Sequence, residues 1–292
     1  MAIRIITDST SDIRFDQQAA LGIEIVPLSV RFGKEEYIDG VTLTKPQFYE
    51  KLVQSQELPT TAQVNPEKFA EVFRKYGEDD EIIGIFISSG LSGTYQSAVM
   101  AKETLNSEKI HLIDSKNVTF GLALLVYEAV RMRDAGGSVQ EICAMIESLI
   151  ARMRFYVVLD TLKYLKMGGR LSASSALLGT MLRIKPILTV RGGLVEVVDK
   201  KQGQRAALQA VAQRVREEKP DQSRFIVFGD AVAPNLTQLL KDSLGGEFDL
   251  AESVDLELGA VVGTHSGPNC AGLAYIVRAE EPAGTNGGKN EF

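Results

Sequence analysis

With 292 residues, 45% of them hydrophobic and 24% charged, the chain reads as an ordinary soluble globular protein longer than most single cores support, so two domains are expected. Its net charge of -6 gives no drive for counterion release from nucleic acid, and DNA and RNA are excluded as expected partners. Cys143 and Cys270 have neither disulfide-framework nor CxxC zinc spacing, so both read as buried packers in a reducing compartment.

The start, MAIRIITDST, has too short an apolar run for a signal peptide. No stretch reaches the roughly 20 apolar residues of a membrane span. Even FGLALLVYEAV is broken by Tyr127 and Glu128, and a cytoplasmic location is expected. Short β-rich runs at 3–7, 23–30, 82–88 and 111–115 alternate with predicted helices at about 11–21, 45–54, 66–77, 94–105 and 117–134. That rhythm predicts βαβ units and a parallel, Rossmann-like sheet, with 31–40 as a small hairpin or excursion. Pro66 suits the first turn of its helix.

A helix at about 138–152 leads to a predicted domain boundary near 155. Beyond it, KPILTVRGGLVEVVDK reads as an antiparallel hairpin turning at Gly192 and Gly193. Helices at about 203–218 and 234–244 and strands RFIVFGD, DLAESVDL and GLAYIVR complete a mixed α/β sheet. The expected organisation is therefore an α/β fold of two domains, 1–155 and 156–280, with a flexible tail at 281–292.

Ligands of an open parallel sheet gather outside the carboxyl ends of its strands. Four polar clusters fall there: TDSTSD (7–12), TTAQVN (60–65), SSGLSGT (88–94) and DSKN (114–117). Each taken alone reads as helix capping, but four together indicate a site. Ser92 misses the G-x-S-x-G nucleophile elbow, because Thr94 stands where the last glycine belongs. The chain has two histidines to serve as a base. His111 opens a strand at the end away from the site. His265, among Gly, Ser and Pro in what reads as a loop, stands open between a structural and a functional role.

The Walker A and G-x-G-x-x-G patterns are absent, so no ATP or dinucleotide cofactor is expected. Asp8 and Asp12 lack accompanying His or Cys, so no metal is expected, and Asp12 reads as an N-cap partner. What remains is a hydroxyl-rich helix N-terminus suited to a small anionic head group, with Arg170 of KMGGRLS able to face a carboxylate or phosphate. The following SALLGTMLRIKPIL, with Ala173, Ala176 and Gly179 interspersed, fits either core packing or a greasy tunnel.

In combination, TDSTSDI, PTTAQ, SSGLSGTYQSA, IDSKNVTFGLALLV, LDTLKYLKMGGRLS, IKPIL and GTHSGPNCAGLAYI resemble the DegV family, bacterial fatty acid-binding proteins that serve as acyl-carrying subunits of fatty acid kinase. The resemblance implies two α/β domains with a long-chain fatty acid bound between them. By motif, Thr61 and Ser92 would hydrogen-bond its carboxylate, with Arg170 and His265 at the head-group end, Gly93 leaving room beside Ser92 and Gln63 following Thr61. A separate ATP-binding kinase subunit would phosphorylate the acid to an acyl phosphate for phospholipid synthesis, so this chain would be a carrier rather than an enzyme. Transient contact with a membrane or an acyltransferase would follow from that role. Family members often read Thr-Ser-Gln-Pro where this chain has Thr61, Ala62, Gln63 and Val64, so a hydroxyl beside the head group is lost and the turn is less rigid. The alternative from the residues alone is a serine hydrolase acting on acyl esters through Ser92 and His265.

Overall fold

The computed structural model describes residues 2–76, 80–172 and 183–279. The apolar run after the start forms β1 (Ile3–Asp8). A helix is predicted over 11–21, but the chain instead makes two 3-10 turns and the short α1 (Gln18–Leu21). The cause is local: Asp8 accepts the Thr10 N–H and caps the first turn, and Asp12 ends it in the left-handed region at φ 58°. The run 23–30 is likewise two strands, β2 (Ile23–Val26) and β3 (Ser29–Phe32). Pro27 lies between them and has no N–H to continue a ladder.

β4 (Glu35–Ile38) pairs with β3 as the expected hairpin. α2 (Lys45–Gln54) is followed by β5 (Thr60–Ala62), which joins the other edge of β3. β5 was not legible as a strand, being three residues within a polar stretch. α3 (Pro66–Lys75) starts on Pro66 with the Asn65 side chain accepting the Lys68 N–H, as its sequence predicts. β6 (Glu81–Phe86), α4 (Thr94–Leu105) and β7 (Ile110–Asp114) complete the first half. Strands β2, β1, β6 and β7, in that order, form an all-parallel sheet.

α5 (Thr119–Asp134) and α6 (Val139–Arg152) lead into β8 (Met153–Val158), the short α7 (Lys163–Met167), and the hairpin β9 (Ile184–Arg191) and β10 (Leu194–Gln202). The hairpin turns at Gly192 and Gly193, both at positive φ. Next come α8 (Gln204–Glu218), β11 (Val227–Ala231), α9 (Pro234–Leu244), β12 (Val254–Glu257), α10 (Ala260–Ser266) and β13 (Cys270–Ile276). The second sheet runs β10, β9, β8, β13, β11, β12 and is mixed, β11 and β12 being its parallel pair. The fold is therefore the expected α/β class, with a parallel and a mixed sheet.

α5 is buried along its first three turns, from Thr119 to Val130, because it is packed between β1 and β6 of one sheet and β11 and β13 of the other. A helix apolar on all sides belongs in such a place. α10 leaves the mixed sheet and packs on α2, β3 and β5. Cys270 is buried and Cys143 half-buried, and neither is in a disulfide. The tail 281–292 and the stretch 173–182, with Ala173, Ala176 and Gly179, lie outside the described residues.

Candidate functional site

A cavity of about 360 Å³ opens where the carboxyl ends of the parallel strands face the mixed sheet. Its walls are chiefly apolar: Ile87 and Leu91 after β6, Phe120 of α5, Phe155 and Val157 of β8, Leu188 of β9, Val195 of β10 and Val261 of α10. Thr61, Gln63, Ser92, Gly93, Arg170 and His265 also line it, so the structure brings the six sequence-predicted residues together.

Their polar contacts fall into separate pairs on the cavity wall. Thr61 Oγ1 lies 3.1 Å from His265 Nε2. Ser92 Oγ lies 2.9 Å from Thr94 Oγ1 and accepts the Thr94 N–H at the start of α4. Gln63 donates to Ser97 Oγ at 3.0 Å, and a methyl on Gly93 would stand 2.0 Å from Gln63 Oε1, so any larger residue there would displace the Gln63 amide. Gly168 is equally constrained, since a Cβ would lie 2.2 Å from His265 Nδ1. Arg170 is exposed at the rim and donates through Nε to the Leu91 carbonyl at 3.2 Å and through Nη1 to that of Gly168 at 2.8 Å. Ser88 ties the rim across the two sheets by donating to the Gly193 carbonyl of the β9–β10 turn at 2.7 Å.

Burial, with the Arg170 guanidinium beside it, pushes His265 down to about 4. It is therefore neutral in the physiological range, a hydrogen-bonding imidazole rather than a cation. In lipid-free protein an NMR titration is expected to place its midpoint near pH 4, and a midpoint at the ordinary 6.5 would overturn this assignment. The other histidine, His111, is remote on β7 and pairs with Glu81 at 2.8 Å.

A Ser92–His265 hydrolase is not assembled. Ser92 bonds Thr94, His265 bonds Thr61, and Nδ1 of His265 has no hydrogen-bond partner among the described residues, so no acid orients it. No group of His, Cys, Asp or Glu among the described residues could hold a metal ion. Val64 is buried, and Ala62 lies exposed at the cavity edge. Sequence reasoning missed α10: GTHSGPN is the end of a helix with a glycine exit, not a free loop. It also missed Phe120 and Phe155 as lining residues, because an aromatic in an apolar run carries no mark of facing a cavity.

The DegV family model, described as "Uncharacterised protein, DegV family", matches residues 2–278. The chain belongs to the DegV family. A DegV domain-containing protein of Caldanaerobacter subterraneus subsp. tengcongensis is 36% identical over 275 residues, 94% of this chain and 98% of the relative. Among solved structures, one described as fatty acid binding of a DegV family protein from Thermus thermophilus is 31% identical, with a TM-score of 0.87 over 95% of this chain and 100% of that one. DegV from Bacillus subtilis, described as a fatty acid binding protein, is 27% identical with a TM-score of 0.83, again over 95% and 100%. DegV homologues bind fatty acids.

Proposed function

We propose that this chain binds one long-chain fatty acid in the cavity, with the carboxylate held by Thr61 and Ser92 beside Gln63, Gly93, Arg170 and His265. The observation that carries the reading is a chiefly apolar cavity whose wall also holds Thr61, Gln63, Ser92, Arg170 and His265. Burying methylenes contributes roughly 0.8 kcal/mol each, so about fifteen give a gross gain on the order of 12 kcal/mol. A hydrogen bond to a charged group adds about 1.5 to 3 kcal/mol. The walls therefore supply affinity, and Thr61 and Ser92 decide which end is presented.

The fuller role is that of a cytoplasmic carrier. A separate ATP-dependent kinase subunit would phosphorylate the presented carboxylate to an acyl phosphate for phospholipid synthesis, with transient membrane or acyltransferase contact. The two sheets would belong to two domains, 1–155 and 156–280, with the boundary falling in β8 (Met153–Val158).

The test is denaturing extraction and mass spectrometry of protein purified from a bacterial host. A near-stoichiometric long-chain fatty acid is expected. Thr61→Val or Ser92→Ala is expected to weaken binding about ten- to a hundredfold. Protein free of acyl lipid would overturn the reading, and p-nitrophenyl ester turnover abolished by Ser92→Ala would favour a hydrolase instead.

A further inference from the structure

His265 stands near the end of α10, a seven-residue helix too short to hold its own direction. The start of that helix is gripped from the opposite end of the chain. Asp12 Oδ1 accepts the Gly259 N–H at 2.8 Å and Asp39 Oδ1 accepts the Ala260 N–H at 3.0 Å. Both carboxylates are buried, and they converge: a methyl on Gly259 would stand 2.9 Å from Asp12 Oδ1 and 3.3 Å from Asp39 Oδ1. Tyr49 donates to the Leu258 carbonyl at 3.2 Å, and Lys45 reaches the carbonyls of Glu257 and Asp12.

The small sheet links this grip to the other partner of His265. Asp39 follows β4, Thr61 lies in β5, and both strands pair with β3. The small sheet thus carries Asp39, one half of the anchor for the start of α10, and the hydroxyl that its histidine meets.

We propose that Asp12 and Asp39 are positioning residues that set the reach of His265 toward Thr61, and so the geometry offered to an anionic head group. This rests on the reading of Thr61 and His265 as head-group residues. Neither carboxylate needs to touch the ligand, since each acts through the backbone that starts α10.

The test uses the full chain with Asp39→Ala, Asp39→Asn and Gly259→Ala, reading the His265 NMR titration without lipid, palmitate affinity by calorimetry, and thermal unfolding. Asp39→Ala is expected to move the His265 midpoint upward from about 4, as solvent reaches the loosened helix, and to weaken palmitate about tenfold with unfolding still cooperative. Asp39→Asn keeps an oxygen for the Ala260 N–H and is expected to restore both. Gly259→Ala retains both aspartates but crowds their carboxylates away from the helix start, so it should reproduce the alanine effects even if Asp39→Ala folds poorly. An unchanged midpoint and affinity in Asp39→Ala or Gly259→Ala, or failure of Asp39→Asn to restore them, would overturn the proposal. Failure of unaltered protein to bind palmitate would overturn the acyl reading alone, because the lipid-free titration reports the positioning independently.

Discussion

Glu128→Ala is expected to cost about 3 kcal/mol of folding stability, toward the lower end of what breaking a buried ion pair removes. The Glu128 carboxylate is fully buried on α5. It accepts Arg131 at 2.5 Å, Arg224 at 2.9 Å and the Phe225 N–H at 3.1 Å, joining α5 to the segment that enters β11. Alanine leaves that N–H without its acceptor and two guanidiniums facing each other. Both are partly exposed and can rehydrate, which holds the cost near the lower end. A urea titration checks it: the midpoint should fall with the slope unchanged, and a loss below about 1 kcal/mol would show the network to be dispensable.

The same residue marks what the sequence could convey. Glu128 and Tyr127 break an apolar run, and no helix among the described residues is long and apolar enough to cross a membrane. What the carboxylate meets could not be read, because Arg224 lies on a different element brought in by the second sheet. Periodicity revealed the regular elements well: α3 begins on its proline and the β9–β10 hairpin turns on its glycines. It failed where tertiary contacts overrule a local pattern. Residues 11–21 lose their helix to the left-handed turn at Asp12, and that aspartate, rather than capping a local helix, accepts the Gly259 N–H just ahead of α10.

The candidate site was legible for a different reason. Thr61, Ser92, Arg170 and His265 came from motifs in fixed order, and the cavity gathers them although 204 residues separate Thr61 from its contact His265. The apolar lining was not legible. Leu28, Phe120, Phe155 and Leu188 come from separate elements, and their shared face exists only after both sheets have formed. Gly168 and Gly93 could have been singled out by their place within motifs, but the side chains that a larger residue would displace there, His265 and Gln63, come from other elements.

On the acyl reading, chain length should respond in opposite directions to two substitutions behind the cavity wall. Phe120 and Phe155 both line the cavity, stacked 4.4 Å apart at 7°. Phe120 sits against Gly229 of β11, so the ring occupies a dent left by the missing side chain there. Phe120→Ala removes the ring and opens the cavity toward that dent. Lipid-free protein should lose about 3 to 5 kcal/mol. Bound chains should recover part of this by filling the gap, shifting toward longer or bent acids by about two carbons or more.

Gly229→Ala acts from behind. Its new methyl would stand 2.4 Å from Phe120 Cδ1, and the Phe155 stack blocks a sideways escape, so the ring must advance into the cavity. Overpacking of this kind costs about 1 to 3 kcal/mol and should shift the bound profile toward shorter acids. Mass spectrometry of lipids extracted from the two variants and the unaltered protein, all from one host, reads both shifts. Profiles that stay put, or that move the same way, would remove the stacked pair as the wall that limits the chain.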